Sequence, residues 1–254
     1  MAWNPDTYNQ FKTERFAPFY DLLSLVNIKQ GMDTIDLGCG TGELTKKLAD
    51  YLPGAKLIGI DSSMEMLDQS KAFADERIQF IHRSIEEQLN METKWDLVFS
   101  NAAIQWVDNH TKLLTDLIGC LKTSGQLLIQ VPAQHHNLTN QLLIDLAAEE
   151  PFTSAFNHWN PVSPVLDIES YAQLLFENGS KEMTVFEKIY PLILTDTNAL
   201  YNWVSGTALI PFTEKLPQGD REQFIEEYKK RLQNRFSKTP VFYAFKRIII
   251  AANF

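Results

Sequence analysis

Short apolar runs alternate with amphipathic stretches over the first half of the chain. The runs are DTIDL (33–37), KLIGI (56–60), IQFIH (78–82), DLVFS (96–100) and QLLIQV (126–131). They are rich in β-branched residues, which predicts buried strands. Between the first two, ELTKKLADYL spaces Leu44, Leu48 and Leu52 four apart, so all three fall on one helical face. A second helix is predicted from Ser62, because Ser62-x-x-Glu65 has the spacing of a capping box and Met66 and Leu67 follow. HTKLLTDLIGCL (110–121) repeats apolar residues at helical spacing before the fifth run. Such alternation predicts parallel βαβ units with right-handed crossovers, and ligands at the carboxyl ends of the strands.

The second half has a different pattern. LTNQLLIDLAAE (138–149) is amphipathic, and DIESYAQLLFENG (167–179) runs from a capping Asp167 to a terminating Gly179. TVFEKIYPLIL (184–194) and VFYAFKRIIIAANF (241–254) read as strands. Between them lie two helical stretches, TNALYNWVSG and DREQFIEEYKKRLQNRF (220–236), the second with capping-box spacing at Asp220 and Gln223. An insertion of that length between strands often covers a site, and Tyr201 and Trp203 are its candidate lid aromatics.

Composition narrows the class. The chain has 254 residues, 44% hydrophobic and 22% charged, which is ordinary for a globular protein. No apolar run approaches the roughly 18 residues that cross a bilayer, and the N-terminus lacks a basic and then apolar leader pattern. No membrane association is expected. Cys39 and Cys120 are isolated in sequence, so neither a disulfide framework nor a zinc site is expected, and a reducing cytoplasm is the default. A net charge of −9, from 32 acidic and 23 basic residues, disfavours a nucleic-acid surface. His135 and His136 have no third ligand at metal spacing, so no metal is expected.

The chemistry concentrates in IDLGCGTGELTKKL, from Ile35 to Leu48. Gly38, Gly40 and Gly42 follow a strand and open a helix, where glycine accepts positive φ and lets a ligand approach the backbone. The spacing is G-x-G-x-G, not the G-x-G-x-x-G of dinucleotide binding. Asp36 precedes the loop, where it would repel phosphate but engage an ammonium group. Asp61 ends the second run, where a carboxylate can accept from ribose hydroxyls. A ligand with an adenosine end and an amino-acid end, S-adenosylmethionine, suits both acids. A purely structural turn and a nicotinamide cofactor are the other readings of this stretch.

DLGCGTG resembles the first motif of the class I S-adenosylmethionine-dependent methyltransferases. The N-terminal WNPDTYNQFKTERFAP, GIDSSMEML, DLVFSNAAIQWVDNH and the closing FKRIIIA more narrowly resemble the bacterial trans-aconitate 2-methyltransferase family. The resemblance implies a Rossmann-like, doubly wound α/β fold. Its sheet would be seven-stranded and mostly parallel with an antiparallel last strand, in one domain over 1–254 with helical cap segments around 1–26, 135–180 and 195–238. It implies S-adenosyl-L-methionine as cofactor, held by Asp36, Gly38, Gly40, Gly42 and Asp61, with Ser62 and Met66 beside ribose and adenine. Ser84 stands where the family commonly has an adenine-binding Asp, with Ile85 next to it. Asn101 follows the fourth strand beside the cofactor.

The implied reaction is methyl-ester formation on a small di- or tricarboxylic acid such as trans-aconitate. A carboxylate is already ionised at neutral pH, so no catalytic base is expected. Positioning residues are expected instead. Gln105 would donate to a carboxylate and Trp106 would wall the pocket. Tyr8 and Arg15, two helical turns apart, would close over the site. Arg247, which with Lys246 interrupts an apolar strand, would face the anion. Ile210 stands where the family tends to carry Arg. A malonyl-acyl carrier protein O-methyltransferase is the alternative within the class, with KKRLQNR (229–235) as its basic docking face. A non-enzymatic cofactor-binding module is the alternative outside it. A monomer is compatible with everything in the sequence.

Overall fold

The computed structural model describes residues 12–159 and 163–254, with the side chains of its first helix from Phe16 onward. Two compact units divide the described residues: 18–132, 164–188 and 247–254 form one, and 12–17, 133–159, 163 and 189–246 the other. The first unit holds most of the sheet. In chain order its strands are β1 (Asp33–Leu37), β2 (Lys56–Asp61), β3 (Ile78–His82), β4 (Trp95–Asn101) and β5 (Leu121–Pro132). β6 (Glu182–Leu194) and β7 (Val241–Asn253) contribute residues to both units. The sheet order is β3-β2-β1-β4-β5-β7-β6. β1 to β5 pair in parallel, and β7 runs antiparallel to β5.

Each expected strand is present, with β5 starting five residues earlier than read. The inner strands β1, β4 and β5 are apolar because both their faces are buried, whereas the edge strands β3 and β6 are partly exposed. Helices α1 (Lys12–Leu23) and α2 (Glu43–Tyr51) supply one face. There Phe19, Leu22 and Leu48 join Leu57, Leu97, Phe99, Leu128 and Ile249 in one buried cluster. Further along the chain come α3 (Met64–Ser70), α4 (Ile85–Leu89), α5 (His110–Gly119) and, after two short helices of the second unit, α8 (Ile168–Glu177). α5 buries Leu113, Leu114 and Leu117, and α8 buries Tyr171 and Leu175.

Three local expectations change. α3 starts one residue later than read: Ser63, not Ser62, is the cap and accepts from the Met66 amide (3.3 Å). The reason is Asp61, which accepts the Ser63 N–H (2.8 Å) and turns the chain first. The long helix of the insertion starts at Gln218 behind Pro217, so Asp220 lies inside its first turn and caps nothing. Finally, α4 was not read at all from the sequence; Ser84 and Glu87 form its capping box.

The second unit is built from α6 (Leu138–Ala147), α7 (Phe152–Ala155), α9 (Thr197–Ser205), α10 (Ile210–Lys215) and α11 (Gln218–Arg235). Its core is aromatic, with Phe212 stacked on Phe224 at 5.8 Å and Phe156 edge-on to both. Trp203 is buried in this core against Phe245. Tyr201 is half-buried under the Lys229 ammonium. Both aromatics are thus packing residues of this unit.

Gln126, on β5, is 1% exposed and clasps one backbone residue from both sides. Its Oε1 accepts from Asn27 N and its Nε2 donates to Asn27 O, each at 2.7 Å. Replacing it by leucine would strand both backbone groups. Gln126→Leu is therefore expected to lose about 1–3 kcal/mol of stability, measured as a lower urea midpoint with an unchanged slope.

Candidate functional site

The turn between β1 and α2 is held by backbone groups of its neighbour strand. Gly38 N and Cys39 N both donate to Ile60 O, at 2.8 and 2.9 Å. Gly40 N donates to Asp61 Oδ2 at 2.8 Å. All three loop glycines have positive φ, at 75°, 55° and 77°. A Cβ on Gly38 would lie 2.1 Å from Ala103 Cβ, and one on Gly42 within 3 Å of Phe80 and Ser70. At Gly40 a Cβ would meet nothing within 4 Å. Gly38 and Gly42 are thus packing glycines, whereas Gly40 leaves open space in front of the backbone.

Two carboxylates adjoin the turn: Asp36 precedes it on β1, and Asp61 holds its Gly40 amide. Asp36 is buried and accepts from Thr45 Oγ1 at 2.6 Å. Burial is the main reason that its pKa rises to about 7; the Thr45 bond opposes the rise and the charge of Asp61 adds to it. Asp61 is half-buried and already holds two backbone amides, Gly40 N on one oxygen and Ser63 N on the other. Each oxygen keeps a second lone pair. Ser62 is exposed, and its carbonyl accepts from His82 Nε2 at 3.0 Å. Met66 is half-buried on α3. At the end of β3, the Ser84 amide donates to Glu87 Oε2 and its hydroxyl accepts the Glu87 amide, so the serine is occupied as a cap. Ile85 behind it is buried.

β4 ends at Asn101, whose Oδ1 is buried without a hydrogen-bond partner. Ala102 follows with φ 58°, a left-handed conformation that alanine adopts only under constraint. The constraint is visible: Ala102 N donates to Gln130 O at 2.8 Å, and Gln105 Nε2 donates to Ala102 O at 2.7 Å. The expected donor of Gln105 is therefore engaged within the loop, and only its acceptor, Oε1, is left without a partner. Trp106 projects outward, 54% exposed. His110, at the head of α5, fixes the loop from below: Nε2 donates to Ile104 O at 2.9 Å, and Nδ1 meets Tyr171 OH at 2.5 Å. Burial lowers the His110 pKa, which keeps the ring neutral and this tautomer in place.

Arg247 is buried and pairs in register with Pro132, the last residue of β5. The antiparallel last strand thus brings it to the carboxyl ends of the parallel strands, where the glycine loop also lies. Tyr8 lies outside the described residues, as does the Arg15 side chain. His135 and His136 are exposed in a short turn of the second unit. The basic run on α11 is largely neutralised: Lys229 pairs with Glu226, Lys230 with Glu227, and Arg231 with Glu149 and Glu227. Those acids offset much of the positive charge that the run shows in sequence. Ile210 begins α10, half-buried.

Comparison with known proteins agrees with this geometry. Residues 28–188 match the family model described as a methyltransferase domain, and the fold and glycine loop define a methyltransferase. The chain is 38% identical to the trans-aconitate 2-methyltransferase of Deinococcus radiodurans, covering 99% of this chain and 98% of that protein. It is 32% identical to that of Variovorax paradoxus, covering 93% and 91%. Within the methyltransferases, the chain belongs to the trans-aconitate 2-methyltransferase family. Among solved structures, the YcgJ protein of Bacillus subtilis superposes with a TM-score of 0.61 at 15% identity, covering 93% of this chain and 97% of that one. A Haemonchus contortus phosphoethanolamine N-methyltransferase gives 0.56 at 18% identity, covering 93% and 52%. At those identities the likeness is one of fold.

The glycine geometry separates two substitutions. Gly38→Ala meets both the left-handed backbone and the 2.1 Å clash, and is expected to lose about 2–5 kcal/mol of stability. Gly40→Ala meets the backbone term alone, about 1–2 kcal/mol. Urea unfolding of the two variants side by side checks the order.

Proposed function

We propose that the protein is an S-adenosyl-L-methionine-dependent carboxyl O-methyltransferase that forms a methyl ester on trans-aconitate. The observation that carries this reading is the pairing of Asp36 and Asp61 around the open backbone at Gly40. The residues fit the cofactor: a buried carboxylate for its ammonium group, a second carboxylate with spare lone pairs for its ribose, and space where a side chain is absent. Asp36, Gly38, Gly40, Gly42 and Asp61 would hold it, with Ser62, Met66, Ser84 and Ile85 around its ribose and adenine and Asn101 beside it after β4. When bound, S-adenosyl-L-methionine supplies an electrophilic methyl group, which a carboxylate oxygen of the acceptor takes as an ester.

The chain's own task is then orientation and partial desolvation of an oxygen that is already anionic. No general base is called for, in keeping with His110 having both ring nitrogens engaged in the support of the loop. Arg247 supplies positive charge at the carboxyl end of the sheet. Gln105 shapes the loop through Ala102, and Trp106 forms its outer wall. Arg15 and Tyr8 are the further anion-holding candidates that the family resemblance supplies; their side chains lie outside the described residues. Cys39 and Cys120 are free thiols, which suits a reducing cytoplasm. Among the described residues no helix is long and apolar enough to cross a membrane.

Incubation with S-adenosyl-L-methionine and a panel of di- and tricarboxylates, read by mass spectrometry, tests the reading. A monomethyl ester of trans-aconitate is expected; no ester from any acid would end it. Asp36 supplies a further test. Its raised pKa means that the folded protein holds a proton that the unfolded chain has lost between about pH 4 and 7. Across that window Asp36 lowers stability as pH rises. An ammonium group bound beside it favours the carboxylate and expels the proton. Calorimetry with S-adenosylhomocysteine is expected to show proton release below pH 7 and an affinity that rises from pH 6 to 7.5. Asp36→Asn should remove both.

A further inference from the structure

Two glutamines on β5 share a face but differ in partnership. Gln126 and Gln130 are four residues apart, so strand alternation puts both, with Leu128 between them, on the face covered by α1 and α2. Each is 1% exposed. Gln126 has both ends of its amide satisfied by Asn27. Gln130 has its Nε2 buried without a partner. A buried donor left unpaired is unfavourable, and an apolar side chain would avoid the penalty. The neighbouring strand positions on this face are apolar: Leu128, Phe99 and Ile249 belong to one cluster.

The place of Gln130 supplies a reason for the amide. It lies at the carboxyl end of β5, two residues before the strand ends. On β4 it pairs in register with Asn101, and on β7 with Ile249. Arg247 lies two residues from Ile249 along β7, opposite Pro132. On β1, Asp36 pairs with Phe99, two residues before Asn101. Period-two alternation therefore sets Asp36, Asn101, Gln130 and Arg247 on one face, as a polar row across β1, β4, β5 and β7. Next below the row, the same face carries Leu128, Phe99 and Leu97. The row begins at the buried carboxylate beside the glycine loop and ends at a guanidinium.

We infer that Gln130 is a substrate-binding residue, whose Nε2 donates a hydrogen bond to a carboxylate of the acceptor acid. The inference rests on the carboxylate-substrate reading above. A neutral donor in a dry setting binds a carboxylate without adding a positive charge that would have to be buried when the site is empty. It also fixes direction: Arg247 attracts the anion, and the planar amide N–H groups of Gln130, on the same face, favour one orientation of the carboxylate. The strained loop through Ala102 lies on the Gln130 carbonyl, so the same residue anchors the loop by its backbone and leaves its side chain for the acid.

The test uses the full chain loaded with S-adenosylhomocysteine and titrated with trans-aconitate in a calorimeter, alongside thermal unfolding without ligands. Wild type must bind the acid; if it binds none, the carboxylate reading fails and this inference with it. Gln130→Leu is expected to raise Tm by about 2–6 °C, because an unsatisfied amide is exchanged for hydrocarbon. It should weaken trans-aconitate binding about tenfold or more while leaving the affinity for S-adenosylhomocysteine within about twofold. Gln130→Met, closer in shape, repeats both expectations should the branched leucine pack poorly. Gln130→Glu should weaken acid binding further by placing like charges together. Unchanged acid affinity in the Leu and Met variants would overturn the inference. So would a lower Tm in both, which would mark the amide as a structural support like Gln126.

Discussion

Burying the Asp36 carboxylate under α2 constrains everything around it. The side chain is almost wholly removed from water, and the Thr45 hydroxyl is its polar support. That is too little to hold a full negative charge cheaply, and the pKa rises to about 7 accordingly. The neighbouring loop is shaped by the same need for compactness. Its amides are drawn to Ile60 O and Asp61, away from Asp36, so nothing in the backbone neutralises that carboxylate. A bound cation does. The loop is thus rigid through its contacts with β2 and incomplete electrostatically at β1, which is the condition for a site that is pre-formed and still gains from its ligand.

Asp61 contributes in a different way. It is half-exposed and bonded to two amides, one in the glycine loop and one at the start of α3. It therefore ties the ends of β1 and β2 together before any ligand arrives. A carboxylate in that position serves as both structural clamp and acceptor. Removal would loosen Gly40 as well as delete a ligand contact, so an affinity loss on its mutation would combine two causes.

Much of this was legible in the sequence, for identifiable reasons. The inner parallel strands had to be apolar on both faces, so their runs stood out. Gly38, Gly40 and Gly42 announced a turn with positive φ, although only space-filling in three dimensions separates Gly38, pressed on Ala103, from the open Gly40. The antiparallel course of β7, expected from the family resemblance, put Arg247 at the right end of the sheet. Other features were hidden. Ser62 and Ser63 are equivalent by spacing, and the choice between them depends on where Asp61 points. α4 spans only five residues and carries no readable periodicity. KKRLQNR looks cationic in one dimension, but Glu149, whose carboxylate meets Arg231, lies on a distant stretch of chain. Gln130 was concealed inside QLLIQV as part of a strand; its only signal is a polar residue breaking an apolar run near the strand's carboxyl end.

Selectivity follows from how the row at that end is composed. A carboxylate nucleophile needs no proton removed, so the chemistry itself discriminates poorly among acids. Discrimination must come from groups that are left worse off when the wrong acid, or none, is present. Asn101 Oδ1, Gln105 Oε1 and Gln130 Nε2 are such groups: buried, polar and without partners. Two are acceptors and one a donor, so they cannot all be satisfied by a simple anion; an acceptor needs an N–H or O–H brought to it. A site with unmet donors and acceptors rejects analogues that lack the matching atoms far more strongly than an apolar pocket rejects a change of one methylene. On the inference made for Gln130, the stability given up at its buried amide is a physical basis for choosing one carboxylic acid among many.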